Sequence, residues 1–305
     1  MTECNNPASI AQNEGLSDFE WLDLKQAVEN KPKHLDFVLP GFPSGTVGAL
    51  ISPGATGKTM FALQASVSIT SGFDMLSFAK MDTSWQPTTT GCVIFLSGED
   101  PAYILQSRIH AISQALSKEQ REAMCNNLLV ARLFGSITDI MTPTWQRWIA
   151  DVTTKYKPRL VILDPLRRFH KLDENDSGEM TELLNFLESL CSEHSTSILF
   201  LHHTSKAGAL AGGDSQQASR GSSVLTDNPR FQANLIGMTS EQAKHLGVDE
   251  DARRKYVRLS FPKLNYSEPM PDRWFERGNG GMLQLHDFKK TQSKCRSKGR
   301  NRDGF

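Results

Sequence analysis

The chain has 305 residues, 38% hydrophobic and 22% charged, with a formal net charge of +0. That length and apolar content support one large α/β domain or two small ones, and they exclude a globally disordered or collagen-like chain. A protein that simply coats DNA is strongly basic, so any nucleic acid would be met through a local surface such as a loop or pore. The five cysteines (4, 92, 125, 191 and 295) form no C-x-x-C pair. Neither a zinc ribbon nor a disulfide framework is indicated, and reduced, cytoplasmic thiols are the expectation. The polar start has no apolar signal core, and no apolar run is long enough to span a bilayer.

In chain order, residues 1–16 are polar and expected to be loose. Phe19, Leu22, Ala27 and Val28 suit a short amphipathic helix over Asp18–Asn30. Pro40, Gly41, Pro43 and Gly45 mark a turn. From Thr46 the pattern alternates between strand and helix: a buried strand Val47–Ser52, then a glycine loop and an apolar helix from about Lys58 to Ile69. Residues 71–90 read as a Thr/Ser/Pro-rich loop. A strand Cys92–Leu96 follows, then a helix from Pro101 to about Leu116, since proline suits a first turn. Next come a strand Leu128–Leu133, a helix Pro143–Tyr156, a strand Leu160–Leu163 ending at Asp164, a helix Gly178–His194 and a strand Ser197–His202. Continuous apolar strands separated by helices predict a mostly parallel sheet covered on both faces. In the last third Tyr256–Phe261 alternates and Met282–His286 is a short strand, predicting antiparallel additions at a sheet edge. The tail from Lys289 to Arg302 is basic and expected to be disordered.

The segment Ser52-Pro53-Gly54-Ala55-Thr56-Gly57-Lys58-Thr59 lies between a strand and a helix. That context makes a phosphate loop. Backbone N–H groups wrap the phosphates, the helix N-terminus adds its positive end, Lys58 reaches the outer phosphates and the Thr59 hydroxyl binds Mg²⁺. Ser52 stands where the first glycine of the full motif belongs, while the core G-x-x-G-K-T is intact. ATP with Mg²⁺ is the implied ligand pair. Asp164, closing an apolar strand downstream, suits the magnesium shell, mostly through water. Glu99 closes the strand after the loop's helix, where a carboxylate can take a proton from attacking water. Asp100 competes for that role or caps the next helix. His202 and His203 end a strand at the edge where α/β sheets place ligands, so one of them is a candidate γ-phosphate sensor. The glycine-rich stretch from Ala207 to Arg220 reads either as a surface loop or as a pore loop touching nucleic acid. Arg220 and Arg230 flank Gly221–Asn228, and no local feature distinguishes either from an ordinary surface arginine.

Longer segments carry more information. These are Leu39-Pro40 with Gly45–Leu50, the phosphate loop, Glu99-Asp100-Pro101, Leu166–His170, Leu201-His202-His203, Gln216–Leu225 and Asp272–Phe275. Together, over about residues 33–285, the chain resembles the RepA-type hexameric replicative helicases of broad-host-range plasmids, a RecA-like P-loop ATPase group. The resemblance implies an α/β RecA-like NTPase core, taken over residues 31–288; residues 1–30, read as an N-terminal segment with an interface helix, and the basic tail 289–305 have little match to the family. It implies a six-membered ring that hydrolyses ATP to unwind DNA, moving 5′ to 3′ on single-stranded or forked DNA, with a plasmid initiator and primase as partners and no membrane. By position it assigns Glu99 as base, His203 as sensor, Arg230 as the arginine donated to a neighbour, and Arg108 and Tyr266 as residues holding the adenine. The alternative reading is a regulatory or loading RecA-like ATPase that does not unwind DNA. Pro165 and Pro229 depart from the family pattern.

Overall fold

The computed structural model describes residues 22–32, 34–80, 90–136, 138–203 and 222–288. Contacts divide the chain into residues 1–35 and 36–305. In the first unit, helix α1 (Leu24–Glu29) is capped by Asp23, whose carboxylate accepts from the Gln26 N–H. None of its residues is buried, so the expected apolar face covers nothing within this unit's described residues. Of the predicted helix Asp18–Asn30, residues 18–21, Phe19 included, lie outside the described residues, and Leu22 and Asp23 precede the helix that forms.

The second unit is built on a nine-stranded sheet among the described residues. Its parallel part contains β3 (Val47–Ser52), β4 (Val93–Ser97), β5 (Leu128–Arg132), β6 (Leu160–Asp164), β7 (Ser197–His203) and β8 (Phe231–Gly237). The antiparallel part is β9 (Tyr256–Leu264), β10 (Arg273–Arg277) and β11 (Leu283–His286), and the order across the sheet is β11-β10-β9-β8-β3-β7-β6-β4-β5. A two-stranded hairpin, β1 (Phe37–Leu39) with β2 (Phe42–Pro43), precedes it. β3, β4 and β6 are buried along their whole length, as strands covered on both faces must be. The expected parallel sheet with antiparallel additions at one edge is therefore the observed architecture.

Helices cover the two faces. Beside α2 (Lys58–Ser71), one core gathers Phe61, Leu63, Phe78, Phe95, Leu201 and Phe275. The other, beneath α5 (Pro143–Tyr156) and α6 (Ser177–His194), gathers Ile51, Leu163, Phe169, Leu183, Leu187 and Phe200. α2 is buried nearly all round, Gln64 included. The Gln64 amide donates to the Leu283 carbonyl at 2.9 Å and accepts from the Leu283 N–H at 2.8 Å. A polar group buried this deeply needs both bonds, and they tie the helix after the glycine loop to β11.

The structure extends the sequence reading in four places. The helix after Glu99 is shorter than expected, α3 (Ala102–Ser113), and a second helix follows, α4 (Lys118–Asn127). Sequence reading left 117–127 unassigned. β8, the helix Ser240–Leu246 and β10 were also not predicted. The Ala207–Arg220 loop and the basic tail lie outside the described residues.

Candidate nucleotide site

β3 lies between β7 and β8 and pairs in parallel with both. The register sets Ser52 beside His203 and, one strand further along, Ser97 beside Asp164. Phosphate loop, histidines and acids therefore meet at the C-terminal ends of the strands, the edge at which open α/β sheets bind ligands.

The loop from Ser52 to Gly57 bends into the N-terminus of α2. Gly57, at φ +99, is the N-cap and has no side-chain cap bond. Only glycine takes that angle without strain. The Thr56 hydroxyl donates to the Pro53 carbonyl at 2.9 Å and braces the turn. No Cβ clash would arise at Gly54, so its place facing the loop is open.

Lys58 is buried, and its ammonium lies 3.2 Å from Nδ1 and 3.4 Å from Nε2 of His203. Burial lowers the lysine pKa, and the Asp164, Glu99 and Asp100 carboxylates partly restore it. Burial also lowers the His203 pKa, and the Lys58 charge adds to that. The imidazole is thus held neutral and presents a lone pair to the ammonium. His202 points elsewhere: it is 2% exposed, with Nδ1 3.8 Å from the Glu174 carboxylate. Of the two histidines, His203 is the one at the lysine.

Asp164 is 4% exposed. Burial pushes its pKa up to about 6, against the hydrogen bond from Thr59 and the charge of Lys58, which lower it. Oxygen donors from Thr59 and Asp164 thus stand together, and among the described residues no cluster of three or more His, Cys, Asp or Glu is set to hold a metal by itself. This donor set fits Mg²⁺, which takes one or two protein oxygens and fills its other positions with phosphates and water. Bound there, it would neutralise phosphate charge.

Glu99 is half-exposed and meets Arg168, whose Nε lies 3.3 Å from its carboxylate. A Cβ on Gly98 would stand 2.5 Å from the Arg168 Cβ, and the Gly98 N–H donates to the Asp164 carbonyl at 2.8 Å. The absent side chain lets β4 and the segment after β6 approach, which sets Glu99 beside the loop. Asp100 does not cap α3: the N-cap is Pro101, without a side-chain bond. Its carboxylate pairs with Arg108 instead. Two turns of helix bring that arginine back over the acid, so Arg108 has a protein partner.

Arg230 and Tyr266 lie elsewhere. The Arg230 N–H donates to the carbonyl of Val47, at the start of β3, and the Asn265 N–H donates to the carbonyl of Arg230. Both residues therefore sit at the opposite end of the sheet from the loop, about 16 Å of strand away. Both side chains are exposed. Neither reaches the glycine loop of its own chain, and Arg108 and Tyr266 cannot hold one base within a single chain.

One contact with the loop escaped sequence reading. Arg277, from β10, donates to the carbonyl of Ala55 at 3.1 Å and to that of Thr56. A charged residue in a strand of alternating polarity carries no local mark of that reach.

A family model described as an AAA domain, AAA_25, matches residues 15–209, the stretch from before α1 through β7. The chain belongs to the AAA_25 family. Among solved structures, the ATPase domain of G40P is similar at 14% identity with a TM-score of 0.55, covering 87% of this chain and 96% of that one. The KaiC-like protein PH0186 from Pyrococcus horikoshii OT3 is similar at 17% identity with a TM-score of 0.53, covering 84% and 100%. At these identities the likeness shows the fold alone, a RecA-like α/β sheet with helices on both faces. No helix among the described residues is long and apolar enough to cross a membrane.

Proposed function

We propose that this AAA_25 protein is a ring-forming, ATP-hydrolysing DNA helicase whose active sites are completed between subunits. The observation that supports it most is the division of site residues between two ends of one sheet. Lys58, Thr59, Asp164, Glu99 and His203 gather at the phosphate loop, while Arg230 and Tyr266 stand exposed at the far end. A head-to-tail ring brings the far end of one subunit to the loop of the next, as heterologous interfaces do.

In that assembly Lys58 and the N–H groups of the loop hold the phosphates of ATP. Thr59 and Asp164 hold Mg²⁺. Glu99 accepts the proton of the attacking water, with Arg168 orienting its carboxylate. His203, neutral and beside Lys58, reads the γ-phosphate and passes its loss to the residues that follow it in sequence. Arg230 of the neighbour stabilises transition-state charge, an effect worth about 10³–10⁵ in rate where such an arginine is fully engaged. Arg108 and the neighbour's Tyr266 hold the adenine from two sides. Directional 5′ to 3′ movement, six subunits, and partnership with a plasmid initiator and primase complete the proposal.

The test is steady-state ATPase activity with and without single-stranded DNA, beside a forked-duplex unwinding assay and a Lys58→Ala control. Lys58-dependent turnover with directional strand displacement is the expected result. Turnover indifferent to DNA, with no displacement by assembled protein, would instead make it a regulatory RecA-like ATPase.

A further inference from the structure

The antiparallel extension contributes more than a sheet edge. Arg277 leaves β10 and sets its guanidinium against the outer surface of the glycine loop, donating to the Ala55 and Thr56 carbonyls. A Cβ on Gly57 would come within 3.9 Å of its Nε. The guanidinium is half-buried, and burial lowers its pKa.

The geometry of the peptide unit gives this contact a consequence. The Ala55–Thr56 and Thr56–Gly57 peptides are trans. In a planar trans peptide the C=O and the N–H point in opposite directions. The carbonyl of Ala55 shares its plane with the N–H of Thr56, and the carbonyl of Thr56 shares its plane with the N–H of Gly57. A cation that holds both carbonyls on the outer side turns both N–H groups to the inner side. Neither N–H donates to another backbone group among the described residues. A charged donor on each C=O also polarises the peptide and strengthens its N–H as a donor. Glycine at 57 and Ala55 at φ +60 leave this short segment with unusual backbone angles, which an external clamp can fix.

We infer that Arg277 is a positioning residue for phosphate binding, a clamp in cis that orients the Thr56 and Gly57 N–H groups towards the bound phosphates. It touches the loop and not the reacting atoms. β10 is held by pairing with β9 and β11, and the Gln64–Leu283 bonds fix β11 to α2. The arginine therefore issues from a frame already attached to the helix that the loop feeds. The inference rests on the nucleotide reading of the loop.

The experiment uses the full chain with Arg277→Ala, Arg277→Lys and, as a control, Arg273→Ala. Arg273 lies on the same strand and donates to the Lys80 carbonyl at 3.4 Å, away from the loop. KM and kcat for ATP, competition by inorganic tripolyphosphate, and thermal melting are measured together. Oriented N–H groups serve bound substrate and transition state alike, so loss of the clamp raises KM with little change in kcat. Arg277→Ala is expected to raise KM for ATP, and the inhibition constant of tripolyphosphate, by the same factor of about ten, as suits loss of charged hydrogen bonds. Arg277→Lys, with one point of charge and no fork, should recover part of that affinity, and Arg273→Ala should leave both constants unchanged. A lower melting temperature with both constants unchanged would overturn the inference, as would an equal loss from Arg273→Ala. Absence of nucleotide binding by the unmodified chain would instead overturn the nucleotide reading itself.

Discussion

Replacing Asp164 by Asn keeps the side chain's shape and removes its charge from a buried site. An ordinary carboxyl titrates at 3.8, whereas this one is pushed up to about 6, chiefly by burial. Between those two values the folded chain binds more proton than the unfolded chain, so stability falls as pH rises through that window. Below it the acid is protonated in both states and imposes nothing. Above it the full penalty is present, about 3 kcal/mol at about 1.4 kcal/mol per pH unit. Asp164→Asn removes the penalty, although Lys58 then loses a counter-charge that raises its own pKa, which trims the gain. The expected result is a nucleotide-free variant more stable than the parent by about 2–3 kcal/mol at pH 7.5, with the advantage disappearing towards pH 4. Urea unfolding of both proteins from pH 4.5 to 7.5 reads the difference, and taking it pairwise cancels every other titrating group. Catalysis should fall sharply in the same variant, since a neutral amide oxygen holds the magnesium shell more weakly than a carboxylate. A variant less stable than the parent at pH 7.5, or a difference that does not change with pH, would refute the claim that this acid is held ionised against its environment.

Three further outcomes follow from the same geometry. Gly98→Ala sets a methyl 2.5 Å from the Arg168 Cβ; separating β4 from that segment should cost about 1–3 kcal/mol in chemical denaturation and lower kcat by displacing Glu99. Gln64→Leu leaves the Leu283 N–H and C=O without the partner they have at 2.8 and 2.9 Å, and a stability loss of about 3 kcal/mol is expected in urea unfolding. His203→Ala should keep most nucleotide affinity while lowering kcat and abolishing its DNA stimulation; unchanged stimulation would remove His203 from the coupling role.

How much of this was legible in the sequence depended on whether local pattern and tertiary role agree. Val47–Ser52 and Pro143–Tyr156 form with the expected bounds, because a fully buried strand reads as a continuous apolar run and a proline-started helix announces its first turn. β8 did not read as a strand: Gln232 and Asn234 interrupt its apolar residues. They are buried all the same, and the Gln232 amide donates to Asn234 at 2.8 Å, a pairing that no one-dimensional pattern displays. α4 buries only Met124, so periodicity was silent there. Its capping box, Ser117 with Gln120, was the available signal. Asp100 looked like a cap because a proline follows it, and only the return of α3 supplies Arg108 as its partner. The separation of Arg230 and Tyr266 from the loop is likewise a property of strand direction, fixed once β8 runs parallel to β3 and β9 runs back.

The most direct test of inter-subunit completion is to mix two inactive variants, Lys58→Ala and Arg230→Ala. In a head-to-tail ring an Arg230→Ala subunit contributes an intact loop, and a Lys58→Ala neighbour contributes the intact arginine. An equal mixture should therefore recover roughly a quarter of the parent ATPase activity, the share of interfaces at which both are present. Mixed rings that stay inactive, or an Arg230→Ala protein that is fully active alone, would contradict the account.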